Sequence, residues 1–169
     1  MCGIAGVVSK EITPQTRQEF QTAFNCLKHR GPHGHNSIEF SFPGHPYKNL
    51  LLGHHRLAVV DLNERANQPL LSANGSILII NGEIYNADKL REQLKNKYNF
   101  NTKSDSEVAL AVLEIFGISG VSKLDGMFAF AFYPAGDSSI WLGRDRLGIK
   151  PLYFTRNREN IWFSSEAKP

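Results

Sequence analysis

The sequence predicts an α+β domain in which two packed sheets carry helices on their outer sides. Three observations predict it. Strand-like apolar runs stand at both ends of the chain, with helical patterns between them. Phe128, Phe130 and Phe132 alternate with Ala129 and Ala131, so one strand is apolar on both faces and its sheet is covered on both sides. A length of 169 residues with 41% hydrophobic content suits one domain, residues 1–169, with a real core. Helices outside two sheets satisfy all three. The pattern leaves the strand order open.

The elements follow in order. Residues 3–8 form a short buried strand closed by Ser9. Thr13-Pro14 starts a helix, with Thr as cap and Pro in the first turn. Phe20, Phe24 and Leu27 recur on it at helical spacing, and Arg30-Gly31-Pro32 stops it. Cys26 lies beside that stripe and reads as a packed, inert thiol. Segments 36–42, 50–54 and 57–62 read as strands, as does the apolar run 77–80. Asn86 caps a second helix carrying Leu90 and Leu94. Ser104-Asp105-Ser106-Glu107 has the form of a capping box ahead of Val108, Val112 and Ile115. Segments 128–132, 139–143, 151–155 and 160–164 complete the strands, and 143–148 reads as a charged turn.

Composition removes several classes of function. A net charge of +3, with scattered basic residues, argues against nucleic acid. The apolar runs fall far short of the ~20 residues of a membrane span. The N-terminus lacks the basic and apolar regions of a secretory signal. Cys2 and Cys26 give no disulfide framework and no C-x-x-C pair, so no metal is expected, and the chain reads as cytoplasmic.

The feature richest in chemistry is Cys2, directly behind Met1. Removal of Met1 would place a thiol and a free α-amine on one residue. The thiolate is a nucleophile, and an amine with a pKa of roughly 7.7–8.0 can serve as its base. The plainer reading is the small first residue of a strand. Arg56 follows a strand-like segment and either binds a carboxylate bidentately or is solvated. Asn81-Gly82 is either a hairpin turn or a pair of donors converging on an oxyanion, with Glu83 beside it for a substrate ammonium. Asp105 either complements a helix dipole or serves as a ligand. His54 and His55 point to opposite faces of a strand and make a poor metal pair, one packed and one hydrogen-bonded.

The order of the motifs carries more than any one of them. Cys2-Gly3-Ile4-Ala5-Gly6, His29-Arg30-Gly31-Pro32, His55-Arg56-Leu57-Ala58-Val59, Asn81-Gly82-Glu83-Ile84-Tyr85-Asn86, Ser104-Asp105-Ser106-Glu107 and Gly143-Arg144-Asp145 stand in sequence. With Gly148-Ile149-Lys150-Pro151-Leu152-Tyr153 and Ser164-Ser165-Glu166, they span nearly the whole chain. Together they resemble the glutaminase domain of glutamine-hydrolysing asparagine synthetases, a class II glutamine amidotransferase.

The resemblance implies the four-layer αββα sandwich of N-terminal-nucleophile hydrolases, with two mostly antiparallel sheets. It implies that Cys2 attacks the side-chain amide of glutamine, with Asn81 and the Gly82 N–H as oxyanion hole. Arg56 would bind the α-carboxylate, Glu83 and Asp105 the α-ammonium, and the Val59 backbone would line the pocket. The products would be glutamate and ammonia, made without metal or organic cofactor. The expected partners are glutamine and a synthetase domain or subunit that receives the ammonia, and a homodimer is possible. ATP and Mg²⁺ would serve only that synthetase part, for which the chain shows no pyrophosphate loop before it stops at Pro169.

One residue departs from the family pattern: His33 stands where Asp is usual after Arg-Gly-Pro. It reads as a tolerated turn substitution. Two rivals remain open, another Cys2 amidase and a non-catalytic glutamine-binding domain.

Overall fold

The computed structural model describes residues 1–42 and 47–168. Its elements run β1 (Gly3–Ser9), α1 (Pro14–Cys26), β2 (Gly34–Ser41), β3 (Asn49–Arg56), β4 (Leu70–Leu71) and β5 (Ile77–Ile84). They continue with α2 (Ala87–Leu94), α3 (Asp105–Phe116), β6 (Gly126–Tyr133), β7 (Trp141–Arg144), β8 (Tyr153–Arg156) and β9 (Asn160–Ser164). One sheet has the order β2-β3-β1-β9-β8 and the other β4-β5-β6-β7. Every strand pairing is antiparallel.

Three apolar cores separate four layers, which is the expected αββα sandwich. Phe20, Phe24 and Leu27 of the first helical segment pack on Ala5, Val7 and Leu51. Ile4, Val8, Leu50 and Leu52 meet Ile77, Ile79 and Ala131 between the sheets. Leu78, Ile80 and the three alternating phenylalanines of β6 pack on Val108 and Val112 of α3. The Phe/Ala alternation therefore marks a sheet buried on both faces. Thr13 caps α1 by accepting from the Thr16 N–H at 3.1 Å.

Several local expectations fail, each for a visible reason. Residues 57–62 form no strand, because the carbonyls of Val60, Asp61 and Asn63 turn inward onto the Arg56 guanidinium instead of a neighbouring strand. Asn81-Gly82 is no hairpin turn; it lies inside β5, paired with Ala129 and Phe128. Asn86 does not cap α2, since its side chain donates to Lys123 O and accepts from the Asp125 N–H. The capping box is displaced. Ser104 accepts from the Ser106 N–H rather than from that of Glu107, and Glu107 reaches past the cap to the Asn101 and Thr102 N–H groups. Cys26 is exposed rather than packed, because it ends α1 off the stripe that Phe20 and Phe24 bury.

Candidate active site

The period-two alternation of three strands builds the site. Ile4 and Val8 of β1 face the gap between the sheets, which puts Cys2 on the same side one step before the strand. Leu50 and Leu52 of β3 face that gap, and continuing the alternation brings His54 and Arg56 there. Ile77 and Ile79 of β5 do likewise, followed by Asn81. Apolar pairs fill the gap along most of its length. Where they give out, it opens into a cavity of about 200 Å³.

All seven residues singled out in the sequence line this cavity: Cys2, Arg56, Val59, Asn81, Gly82, Glu83 and Asp105. Met1, His54, Gln68, Ser106 and Lys150 line it too.

Cys2 Sγ sits against the Leu57 backbone. The Leu57 N–H donates to it at 3.3 Å, and the thiol donates to Leu57 O at 3.7 Å. Both protonation states of the sulfur therefore have a partner in one residue. Arg30 holds Cys2 from the other side, its Nε donating to Cys2 O at 3.0 Å. The same guanidinium donates through NH1 to Glu166 at 2.9 Å. The Arg30 contact, together with burial and the His29 ring, acts on Glu166; the two basic partners outweigh burial and hold its carboxyl below the usual range.

Asn81 is 1% exposed, and its Nδ2 has no hydrogen-bond partner among the described residues. A buried amide donor left open in a cavity is costly to the fold, and it is the geometry an oxyanion donor needs. Next to it, a Cβ on Gly82 would stand 2.3 Å from Met127 O, so only glycine allows β5 and β6 this close. Asp105, at the start of α3, accepts from the Ile84 N–H at 2.8 Å and the Ser106 N–H at 2.9 Å, which fixes it beside Glu83.

Arg56 is buried and heavily engaged. Its NH1 donates to Asn63 O and Asn67 Oδ1, and its NH2 to Val60 O and Asp61 O. Its terminal donors thus hold the 57–63 loop against the cavity, while Nε has no partner among the described residues. Lys150 is the second buried cation. It is 7% exposed, and its Nζ lies 3.6 Å from Met1 Sδ.

His54 is buried between the sheets, and neither ring nitrogen meets hydrogen-bond geometry among the described residues. Burial pushes it down to about 3, with the Ile80 backbone opposing and Arg56 and His55 adding to the shift. It is neutral at cellular pH. His55, on the opposite face, bonds Phe24 O at 2.9 Å and lies on the Phe24 ring.

The sequence reading missed Arg30, Leu57, Gln68 and Lys150. Arg30 read only as part of the run that stops the first helix. Leu57 acts through backbone atoms, which leave no residue-type signal. Gln68 pairs its amide with the Ile80 backbone and so walls the cavity. Lys150 is placed by a turn whose organiser, Asp145, read only as part of a charged turn.

A cavity that brings a thiol, an open buried amide donor and both cationic and anionic side chains together sits between the two sheets of an N-terminal-nucleophile-type fold. The chain belongs to the glutamine amidotransferase domain family, whose family model matches residues 1–169. It is 39% identical over 173 residues to asparagine synthetase [glutamine-hydrolyzing] 1 of Bacillus subtilis, covering 99% of this chain and 26% of that protein. It is 37% identical to asparagine synthetase B [glutamine-hydrolyzing] of Escherichia coli, covering 99% of this chain and 29% of the relative. The chain thus spans between a quarter and a third of the length of these relatives. Among solved structures it resembles glutamine phosphoribosylpyrophosphate amidotransferase from B. subtilis, with a TM-score of 0.78 and 25% identity. That match covers 98% of this chain and 42% of the other.

Proposed function

We propose that this domain hydrolyses the side-chain amide of glutamine and delivers the ammonia to a synthetase partner for an asparagine-synthetase-type amidation. The observation that carries the reading is the convergence of Cys2, the open Asn81 amide, Glu83, Asp105 and Arg56 on one cavity. Free glutamine presents an amide, an α-ammonium and an α-carboxylate. This cavity offers a nucleophile, two carboxylates and an arginine in turn.

The Cys2 sulfur attacks the amide carbon. The oxygen takes negative charge and is stabilised by Asn81 Nδ2–H and the Gly82 N–H. The α-amine of Met1-free Cys2 accepts the thiol proton and returns it to the leaving nitrogen, which departs as ammonia. Water then cleaves the γ-glutamyl thioester to glutamate. With Met1 attached, that nitrogen is an amide without a basic lone pair, and the Met1 side chain shares the cavity.

Glu83 and Asp105 hold the α-ammonium, and Val59 closes the pocket near Arg56. Arg56 offers Nε–H to the α-carboxylate, and its terminal donors become available only as the Val60 and Asp61 carbonyls let go. ATP and Mg²⁺ belong to the synthetase part. Two thiols without a disulfide, Cys2 and Cys26, fit a reducing cytoplasm.

The test is glutamate release from glutamine by Met1-free and Met1-retaining preparations, each verified by intact mass. The Met1-free form should turn over glutamine and should reject glutaramate, which lacks the ammonium. The Met1-retaining form should be inactive. Equal activity of both forms would remove the α-amine from the mechanism.

A further inference from the structure

His33 holds both peptide units that face the nucleophilic sulfur. Its backbone N–H donates to Arg56 O at 3.0 Å. Its ring Nδ1 accepts from the Ala58 N–H at 3.0 Å. Arg56 O and the Leu57 N–H belong to one peptide unit; Leu57 O and the Ala58 N–H belong to the next. In a trans peptide the C=O and N–H point in opposite directions. A group that holds the C=O of the first unit therefore aims its N–H the other way, and the Leu57 N–H is the donor on Cys2 Sγ at 3.3 Å. A group that holds the N–H of the second unit aims its C=O the other way, and Leu57 O is the acceptor of the Cys2 thiol.

We propose that the His33 side chain is a positioning residue for the glutaminase reaction, orienting the Leu57 carbonyl on Cys2 through the Ala58 N–H. A backbone bond from residue 33 is open to any residue except proline, so it places no demand on the side chain. The second tie does. It needs an acceptor at the reach of Nδ1, which also fixes the neutral ring's proton on Nε2. Nothing else among the described residues accepts from the Ala58 N–H. The segment it anchors also carries the Val60, Asp61 and Asn63 carbonyls that hold Arg56, so one contact steadies the sulfur's partner and the start of the arginine loop together. A carboxylate offers an oxygen at the same reach. An Asp at this position would therefore keep the acceptor that His33 supplies.

The proposal rests on the reading of Cys2 as nucleophile only in its kinetic arm, so the test has two arms. In a Met1-free Cys26→Ala background, four variants separate acceptor geometry from bulk. His33→Asn places an oxygen where Nδ1 stands. His33→Asp does so with a charge. His33→Gln moves the oxygen one bond further out, and His33→Ala removes it. The first readout is the alkylation rate of Cys2 by iodoacetamide, which needs no substrate. The second is kcat/KM for glutamine.

Asn and Asp should stay within about twofold of the parent in both. Gln and Ala should lose about 3- to 10-fold, the scale of one net hydrogen bond. Thermal melting identifies any variant that fails to fold, and the Asn/Gln comparison stands without the Ala variant. Equal behaviour of Asn and Gln in the alkylation arm, whether both like the parent or both impaired, would overturn the role of Nδ1. If glutamine is not hydrolysed by the parent, the functional reading fails while the alkylation ranking still decides the role of His33.

Discussion

Arg30 Nε donates to the carbonyl of Cys2 at 3.0 Å, and the far side of the same guanidinium lies 2.9 Å from Glu166. Residues near the two ends of the chain thus meet through one side chain to hold Cys2. The Glu166 contact orients the arginine, and the arginine orients the peptide that follows Cys2. Arg30→Lys should lower kcat by about 10-fold or more, because an ammonium cannot make both contacts in the plane of a guanidinium. Glu166→Gln should lower it less, since an amide oxygen can still accept. Steady-state kinetics check this ordering, and a glutamine-dependent rate unaffected by Arg30→Lys would remove the positioning role.

Asn81 should separate function from stability. Its Nδ2 is buried and unpartnered in the ligand-free site, so Asn81→Ala removes an unsatisfied group as well as an oxyanion donor. We expect kcat to fall by on the order of 10²–10³, with the melting temperature nearly unchanged. Turnover that survives with a lowered melting temperature would make Asn81 a structural residue.

Arg56 carries two duties. Besides its proposed contact with substrate, it binds the carbonyls of Val60, Asp61 and Asn63 and the Asn67 side chain. Arg56→Ala should raise KM strongly and also loosen residues 57–63. Protection of those amides in hydrogen exchange should fall in the variant. A raised KM with unchanged exchange would show that only the substrate contact was lost.

His54 sets a pH dependence of stability. Burial lowers its pKa from the ordinary 6.5 to about 3 in the folded chain. Between these values the unfolded state binds the extra proton, so stability falls as pH drops through that window. His54→Met should flatten the decline. Denaturant midpoints measured at about pH 7 and pH 4.5, above the ordinary carboxylate pKa of ~4.3, should move further apart for the parent than for the variant. An equal shift in both would place a partner on the ring that the packing does not show.

Periodicity made the cores legible. Phe20 and Phe24, the Ile77–Ile80 run and the Phe128–Phe132 alternation each mark a buried face, and each lies where its period placed it. Residues whose partners are distant backbone atoms were not legible. Asp145 looked like a charge in a turn, yet its carboxylate accepts from the N–H groups of Phe128, Leu147, Ile149 and Lys150. Burial alone would raise its pKa, but these N–H groups outweigh burial and hold it low. That turn carries Lys150 into the cavity. The 57–62 segment misled for the same reason: its apolar run suggested a strand, but its carbonyls were claimed by Arg56. The seven site residues could be named from motif order, whereas the contacts that hold them, from Arg30, Leu57 and His33, depend on register between strands.

The most direct test of the central claim is to map where a diazo-ketone analogue of glutamine attaches. Met1-free protein is treated with the analogue, digested and analysed by mass spectrometry, alongside Cys2→Ala and Cys26→Ala variants. The account predicts one adduct per chain on Cys2, prevented by excess glutamine, accompanied by complete loss of glutamine hydrolysis and unaltered in Cys26→Ala. An adduct on exposed Cys26 instead, or glutamine turnover that persists in Cys2→Ala, would contradict it.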